Sequence, residues 1–363
     1  MPRQKLCGGG ITPKALRLLD FEIPREIIES VVATVRIHVG QQCFKFRSTS
    51  PLVYMTSREK FDTFLTKKAA EAGVEIKDGT LVRNIVTQAS FVEVQTRDRS
   101  FETKLVIGCD GTGGPTARAT GLYSHWDPAE VAYAIESEVP VGQDGVRKFM
   151  GNDECFDVYF GVSPAGYGWI FPKDDHLTVG VGCRMSRLKD GQKLFDNFVE
   201  GIPELEGRNV PRPQAHLIPL GGAVHVPILT DRVLLAGDSA GFAEPLLGEG
   251  ISFALSSGQI AAEVAEEACR ANRFDADFLT VYKRRCERAF ITDFAAAYRL
   301  ARASYLENYD MDRLGTFFFS NRRFHESMIG VMDGTIRYRD VPRRLAWLYL
   351  KYRLAKLGLP IQS

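Results

Sequence analysis

The chain has 363 residues, 45% of them hydrophobic and 25% charged, with a formal net charge of +1. This balance fits a globular body with a substantial core, and it excludes a protein that binds nucleic acid through bulk positive charge. Seven widely spaced cysteines with no C-x-x-C, and six histidines with no H-x-x-x-H pair, exclude a disulfide framework and predict no metal site.

No signal-peptide pattern occurs, nor any apolar run of the ~20 residues that span a bilayer. The expectation is a cytoplasmic protein, with peripheral attachment to a membrane as a second location. In chain order, the first feature is Cys7 followed by Gly8, Gly9 and Gly10. Three successive glycines are costly to order, so the run predicts a backbone that passes close to a ligand or takes φ > 0. Thr12 and Pro13 open a predicted helix, TPKALRLLDF. A second helix, SREKFDTFLTKKAAEAG, sets Phe61, Phe64, Leu65 and Ala69 on one face and stops at Gly73.

Short β-prone runs (VEIK, LVRNIVTQ, FVEVQTR) lead into KLVIGCDG, an apolar strand ending at Asp110 and Gly111. Residues 131–227 mix strands (DVYFGVS, LTVGVGCR) with one amphipathic helix, KLFDNFVEGI, which predicts a sheet-rich second domain. RVLLAGD is again a buried strand, ending at Asp238, and a Gly-rich loop leads to the long helix GISFALSSGQIAAEVAEEACRA. The rest is helical, aromatic and basic: from Arg299 onward, twelve Lys/Arg stand against six Asp/Glu. The stretch PRRLAWLYLKYRLAKLGL carries five basic residues and no acids. It reads either as a helix docking on an anionic membrane surface or as ordinary packing of a terminal helix.

Two strands ending in aspartate carry the chemistry. Open α/β sheets bind ligands outside the carboxyl ends of their strands. An aspartate there accepts hydrogen bonds from sugar or ribityl hydroxyls, and the glycines after it let backbone N–H groups reach a pyrophosphate. Gly248 and Gly250 precede a long helix, a further place for an anion. Either aspartate alone is explained by a simple turn; the two together predict a nucleotide cofactor. The GDSAG run also fits the G-x-S-x-G nucleophile elbow of hydrolases, but Pro245 and three glycines intervene before any helix can begin behind Ser239. Tyr167, Trp169 and Phe171 alternate along one strand and so share a face. That face is either plain core or an aromatic wall for a long apolar ligand. Gly166 and Gly168 leave the opposite face bare, which predicts close approach of another backbone.

The order CGGG, SREKFDTFL, IGCDGTGGPTAR, PAGYGWIFP, VLLAGDSAGFAEPLLGEGI resembles the geranylgeranyl reductase family of FAD-dependent oxidoreductases, from Pro2 to about Ala268. Pro164-x-x-Tyr167-x-Trp169-x-Phe171-Pro172 is the most specific part. The resemblance implies an α/β (α+β) protein with a three-layer β/β/α FAD-binding domain of the p-hydroxybenzoate hydroxylase and glutathione reductase type. That domain comprises residues 1–130 and 228–272, with a β-sheet substrate domain at 131–227 and a helical region at 273–363. Such flavoproteins open with a strand, G-x-G-x-x-G and a helix. None of these precedes Cys7, so the sequence reads as N-terminally truncated.

By resemblance, Cys7, Gly8 and Gly10 lie beside the flavin ring, Arg58 contacts FAD, and Val82 offers backbone groups near the adenine. Asp110 and Gly111 lie near the pyrophosphate, Asp238 holds the ribityl chain, and Gly248, Gly250 and Ile251 lie against the pyrophosphate and the flavin O2 edge. The implied reaction reduces isolated C=C bonds in the geranylgeranyl chain of a lipid, chlorophyll precursor or quinone. The electron donor is NAD(P)H or ferredoxin, and Tyr167, Trp169 and Phe171 line the substrate. An unactivated alkene needs a proton together with a hydride, and Cys7 is the ionisable group placed to give it. Cys7 reads equally well as a small residue packed under the flavin. The alternatives are another flavin monooxygenase or quinone-linked flavoprotein of the superfamily, and an inactive fragment that holds no FAD.

Overall fold

The computed structural model describes residues 1–221, 226–302 and 318–345. Strand β1 (Gly10–Ile11) leaves the glycine run, and α1 (Pro13–Leu16) follows it, only one turn of the longer helix that TPKALRLLDF predicts. Strands β2 (Ser30–Val32), β3 (Thr34–Val39), β4 (Gln42–Arg47) and β5 (Val53–Met55) precede α2 (Arg58–Glu71). Helix α2 begins where the sequence places it: the Ser57 hydroxyl accepts the Lys60 N–H, and Phe61 is buried. VEIK forms no strand, and Val74 and Ile76 stand exposed. Strands β6 (Val82–Thr87), β7 (Val92–Thr96) and β8 (Ser100–Thr103) make a small antiparallel sheet.

Strand β9 (Val106–Gly108) comes next, then α3 (Pro115–Ala119), β10 (Val131–Pro140), α4 (Gly142–Met150), β11 (Cys155–Phe160), β12 (Tyr167–Pro172) and β13 (His176–Arg184). Helix α5 (Gly191–Glu200) and strands β14 (Gln214–Pro219), β15 (Leu229–Thr230) and β16 (Val233–Leu235) come next. Helices α6 (Ile251–Ala271), α7 (Ala276–Cys286), α8 (Thr292–Ala301) and α9 (Arg322–Asp333) follow. Among the described residues, no helix is long and apolar enough to cross a membrane. The basic stretch PRRLAWLYLKYRLAKLGL lies outside the described residues from position 346 onward.

Two sheets position the site. The larger has seven strands in the order β14-β10-β13-β12-β11-β3-β4, so β3 and β4 of the N-terminal segment share a sheet with the strands of 131–227. Its pairs are antiparallel except β11 with β3. Alternation divides the side chains by face. Ile135, Val139, Ile170, Val179 and Val181 pack against Phe149 of α4 and against Phe195 and Phe198 of α5. The second sheet places β16 parallel to β9, with Leu235 beside Gly108, and packs on α6 and α7 through Val264, Leu279 and Tyr282. Apolar residues of three consecutive positions in β16 are fully buried, as a strand covered on both faces requires.

The bare face of β12 has a mixed outcome. A Cβ at Gly166 would lie 2.1 Å from the Gly182 carbonyl oxygen, the backbone approach that the sequence predicts. At Gly168 the neighbour is a side chain instead, the Phe198 ring at 2.5 Å.

Candidate functional site

The glycine run crosses the aromatic face of β12. A Cβ at Gly8 would lie 2.7 Å from the Phe171 ring and 3.6 Å from Trp169 Nε1. Gly9 has φ +69°, and a Cβ there would lie 1.8 Å from the Thr56 carbonyl oxygen. Thr56 N–H donates to Gly9 O at 2.9 Å, and Lys173 Nζ donates to Gly8 O at 2.6 Å and Thr56 O at 2.8 Å. Loop, β5 and the end of β12 are thus tied at one buried point. Lys173 is 2% exposed. Burial lowers its pKa, against the opposing pull of Glu138, Glu29, Cys7 and Glu136.

Cys7 Sγ accepts the Gly9 N–H at 3.4 Å. Arg58 opens α2 beside it, and the guanidinium pairs with Asp62 one turn later at 2.8 and 3.0 Å. Burial opposes the Arg58 charge, but Cys7 and Asp62 outweigh it and raise the pKa. Burial alone would raise Asp62; hydrogen bonds from Arg58 and Arg3 win and hold the carboxyl below its usual range.

At the end of β16, Lys5 Nζ lies 3.2 Å from Asp238 Oδ2. A Cβ on Gly250 would lie 3.3 Å from Asp238 Oδ1, and one on Gly248 would lie 3.4 Å from Tyr167 Oη. The Tyr167 hydroxyl donates to Leu247 O. Ile251 opens α6 and packs beside Ile11 and Phe61, and Glu249 caps the helix by accepting Ser252 N–H at 2.7 Å. His216, on β14, has a buried Nε2 without a partner. Burial first, then Lys5, Arg58 and Arg3, lower its pKa, with Asp238 opposing.

The structure therefore brings Cys7, Gly8, Gly10 and Arg58 together with Trp169 and Phe171, and Asp238, Gly250 and Gly248 together with Tyr167 and Ile251. Lys5 joins the two groups, two residues before Cys7 in the chain. Asp110 stands at the end of β9, next to β16, but its carboxylate is engaged: it accepts Thr116 N–H at 2.8 Å and Thr116 Oγ1–H at 2.7 Å, capping α3. Gly111, at φ +76°, leaves open space beside it. Val82 begins β6 at a bulge and joins the set through α3, which packs on β6. Ser239 is no nucleophile, because its buried hydroxyl donates to Gly108 O and Ala236 O at 2.7 and 2.8 Å.

Sequence reasoning named none of Arg3, Lys5, Lys173, Glu136 and His216 as site residues. Lys173 directly follows the aromatic strand, which is the signal that could have found it. His216 and Glu136 give no local signal, since only cross-strand register brings them to this face. The cations Arg3, Lys5 and Arg58, the aspartate at a strand end, the orphaned His216 nitrogen and the glycine cradle suit a ligand with a pyrophosphate and several hydroxyls. These residues fit FAD.

A profile of the family described as "FAD binding domain" matches residues 16–266. The chain belongs to that family. It is 34% identical to an uncharacterized protein of Methanosarcina barkeri over 84% of this chain and 75% of the relative. A geranylgeranyl diphosphate reductase, chloroplastic, of Nicotiana tabacum is 29% identical over 74% of this chain and 59% of its own length. Digeranylgeranylglycerophospholipid reductase 2 of Methanothermobacter thermautotrophicus is 28% identical over 77% of this chain and 72% of its own. A solved structure of a geranylgeranyl bacteriochlorophyll reductase-like protein from Thermoplasma acidophilum superposes with a TM-score of 0.79, at 21% identity, over 97% of this chain and 88% of that one. The α/β fold of the FAD-binding proteins is therefore this chain's fold, and the chain is an FAD-dependent oxidoreductase related to the geranylgeranyl reductases.

Proposed function

We propose that this flavoprotein reduces isolated C=C bonds in the geranylgeranyl chain of a lipid or pigment. The observation that carries the reading is the contact of the Cys-Gly-Gly-Gly loop with the Tyr167–Trp169–Phe171 face. Two features expected for different partners, the flavin and an apolar chain, lie against each other. The aromatic surface extends beyond β12: Phe156 meets Phe171 edge-on at 5.3 Å, and Phe160 links Tyr167 to Phe319. A polyprenyl chain offers only apolar area, and such a wall recognises it by burial of that area.

FAD, when bound, supplies the hydride. The chain's own residues do the rest. Asp238, held by Lys5, accepts from ribityl hydroxyls, and Gly248, Gly250 and Ile251 present the start of α6 to negative charge. Asp110 and Gly111 border the pyrophosphate, and Val82 the adenine. Gly8 and Gly10 let the loop pass close over Phe171 and Val53, and Cys7, beside Arg58, would give the proton. NAD(P)H or ferredoxin is the proposed electron donor, and an anionic membrane surface is the place of encounter with a lipid substrate.

Reconstitution with FAD, followed by chemical reduction and addition of a geranylgeranyl lipid, tests the reading. The expected product gains two hydrogens for each double bond reduced. A bound flavin spectrum with no change in the lipid overturns the substrate assignment. No flavin spectrum at all favours the non-catalytic alternative.

A further inference from the structure

Behind the loop lies a carboxyl that the reading above does not use. Glu136 on β10, Gly180 on β13 and Trp169 on β12 are register partners across three adjacent strands. A Cβ at Gly180 would lie 2.3 Å from the Trp169 ring and 2.8 Å from Glu136 Cβ. The missing side chain lets the indole lie flat across β13 and roof over the glutamate, which is 3% exposed. Trp169 Nε1 and Glu136 Oε1 are both shut away from solvent without a well-formed partner. On its other side the indole nitrogen meets Gly8.

We propose that Glu136 is a proton store for the Cys-Gly-Gly-Gly loop, holding a proton behind Trp169 and returning it to Cys7 after each reduction. Glu136 acts through Cys7 and is a positioning residue; the inference rests on Cys7 as proton donor. The groups that face it are consistent with a store that fills and empties. Burial, then the charge of Glu138 on its own strand, push its pKa up to about 8, so it is neutral at pH 7. Lys173 from the end of β12, the Cys7 backbone amide from the loop and the Trp169 indole N–H oppose that rise, and they stand ready to receive the carboxylate once the proton has left. Strand β13 contributes only Gly180 to this row, and β14 contributes the neutral Gln214. Glu138, two residues along β10, is exposed, accepts Thr178 Oγ1–H at 2.7 Å and pairs with His176 at 3.3 Å.

The step balances. The Cys7 S–H bond breaks as a C–H bond forms on one alkene carbon, while the other carbon takes hydride and its electron pair from a dihydroflavin, the reductant. The Glu136 O–H bond then breaks and the Cys7 S–H bond re-forms. A proton from bulk solvent then restores the glutamic acid, so each bond reduced consumes one solvent proton and one hydride.

Infrared difference spectroscopy of the purified chain tests the store without turnover. Glu136→Gln should remove one protonated-carboxyl band at pH 7, and in the unsubstituted chain that band should titrate away near pH 8. A second band, from buried Glu244, should survive the substitution. A loss of carboxylate absorption instead of carboxylic acid overturns the proposal. With prereduced, FAD-loaded protein, Glu136→Gln should slow the later bonds relative to the first by roughly a hundredfold, a ratio that stays near one in the unsubstituted chain. Cys7→Ala should slow the first bond as well. Normal multiple turnover in Glu136→Gln overturns the store. An unaffected Cys7→Ala overturns the role of Cys7, while the infrared band still decides whether Glu136 holds a proton.

Discussion

Gly9 tolerates no side chain: the added Cβ would sit at 1.8 Å from a backbone oxygen, at a φ that L residues avoid. Gly9→Ala is expected to cost about 3 kcal/mol or more, read as a shift in the urea midpoint. Glu136 sets a pH dependence of the opposite kind from a surface carboxylate. Its folded value of about 8 lies above its ordinary 4.5, so the native state holds a proton that the unfolded chain gives up. The stability this confers is fully present below pH 4.5 and lost as the pH rises toward 8. The melting temperature of Glu136→Gln, relative to the unsubstituted protein, should therefore increase from pH 5 to pH 8. A constant offset would contradict the raised pKa. None of this is legible locally, because a single glutamate in an alternating strand reads as a solvent-facing residue. Only the register that sets Gly180 between it and Trp169 buries it.

Among elements, helix starts and strand ends were easier to read than helix lengths: Thr12 and Pro13 mark α1, but it runs only one turn. The Ser57 cap starts α2 at Arg58, which lies beside Cys7 and pairs with Asp62 one turn later. Ser57→Ala should cost about 1 kcal/mol in urea unfolding and weaken flavin retention on gel filtration, since the first turn carries the arginine. The two strands leading to Asp110 and Asp238 were legible and pair in parallel, though they end at Gly108 and Leu235, and the aspartates follow two and three residues later. The role of Asp110 as a helix cap was hidden, since it depends on how the loop returns to Thr116. The VEIK run misled because β-branched composition says nothing about whether a partner strand is at hand.

Across the whole molecule, Lys173 ties the end of β12 in the seven-stranded sheet to the N-terminal loop and the end of β5, with its ammonium on Gly8 O and Thr56 O. Lys173→Met keeps the stem's volume but leaves both carbonyls without that donor. A loss of about 1–3 kcal/mol is expected, together with faster proteolysis of the N-terminal loop. A charge-neutral substitution with no effect on either measurement would show that the tie is incidental.

The parallel pairing of β9 with β16 joins Val106 to Val233, and everything from Cys109 to Arg232 lies between them in the chain. Closing a loop of that length costs about 4 kcal/mol in chain entropy before any contact compensates it. The seven-stranded sheet can shorten that loop by folding first. The two aspartates would then meet late, and refolding should proceed through an intermediate with a formed seven-stranded sheet and no capacity to retain flavin.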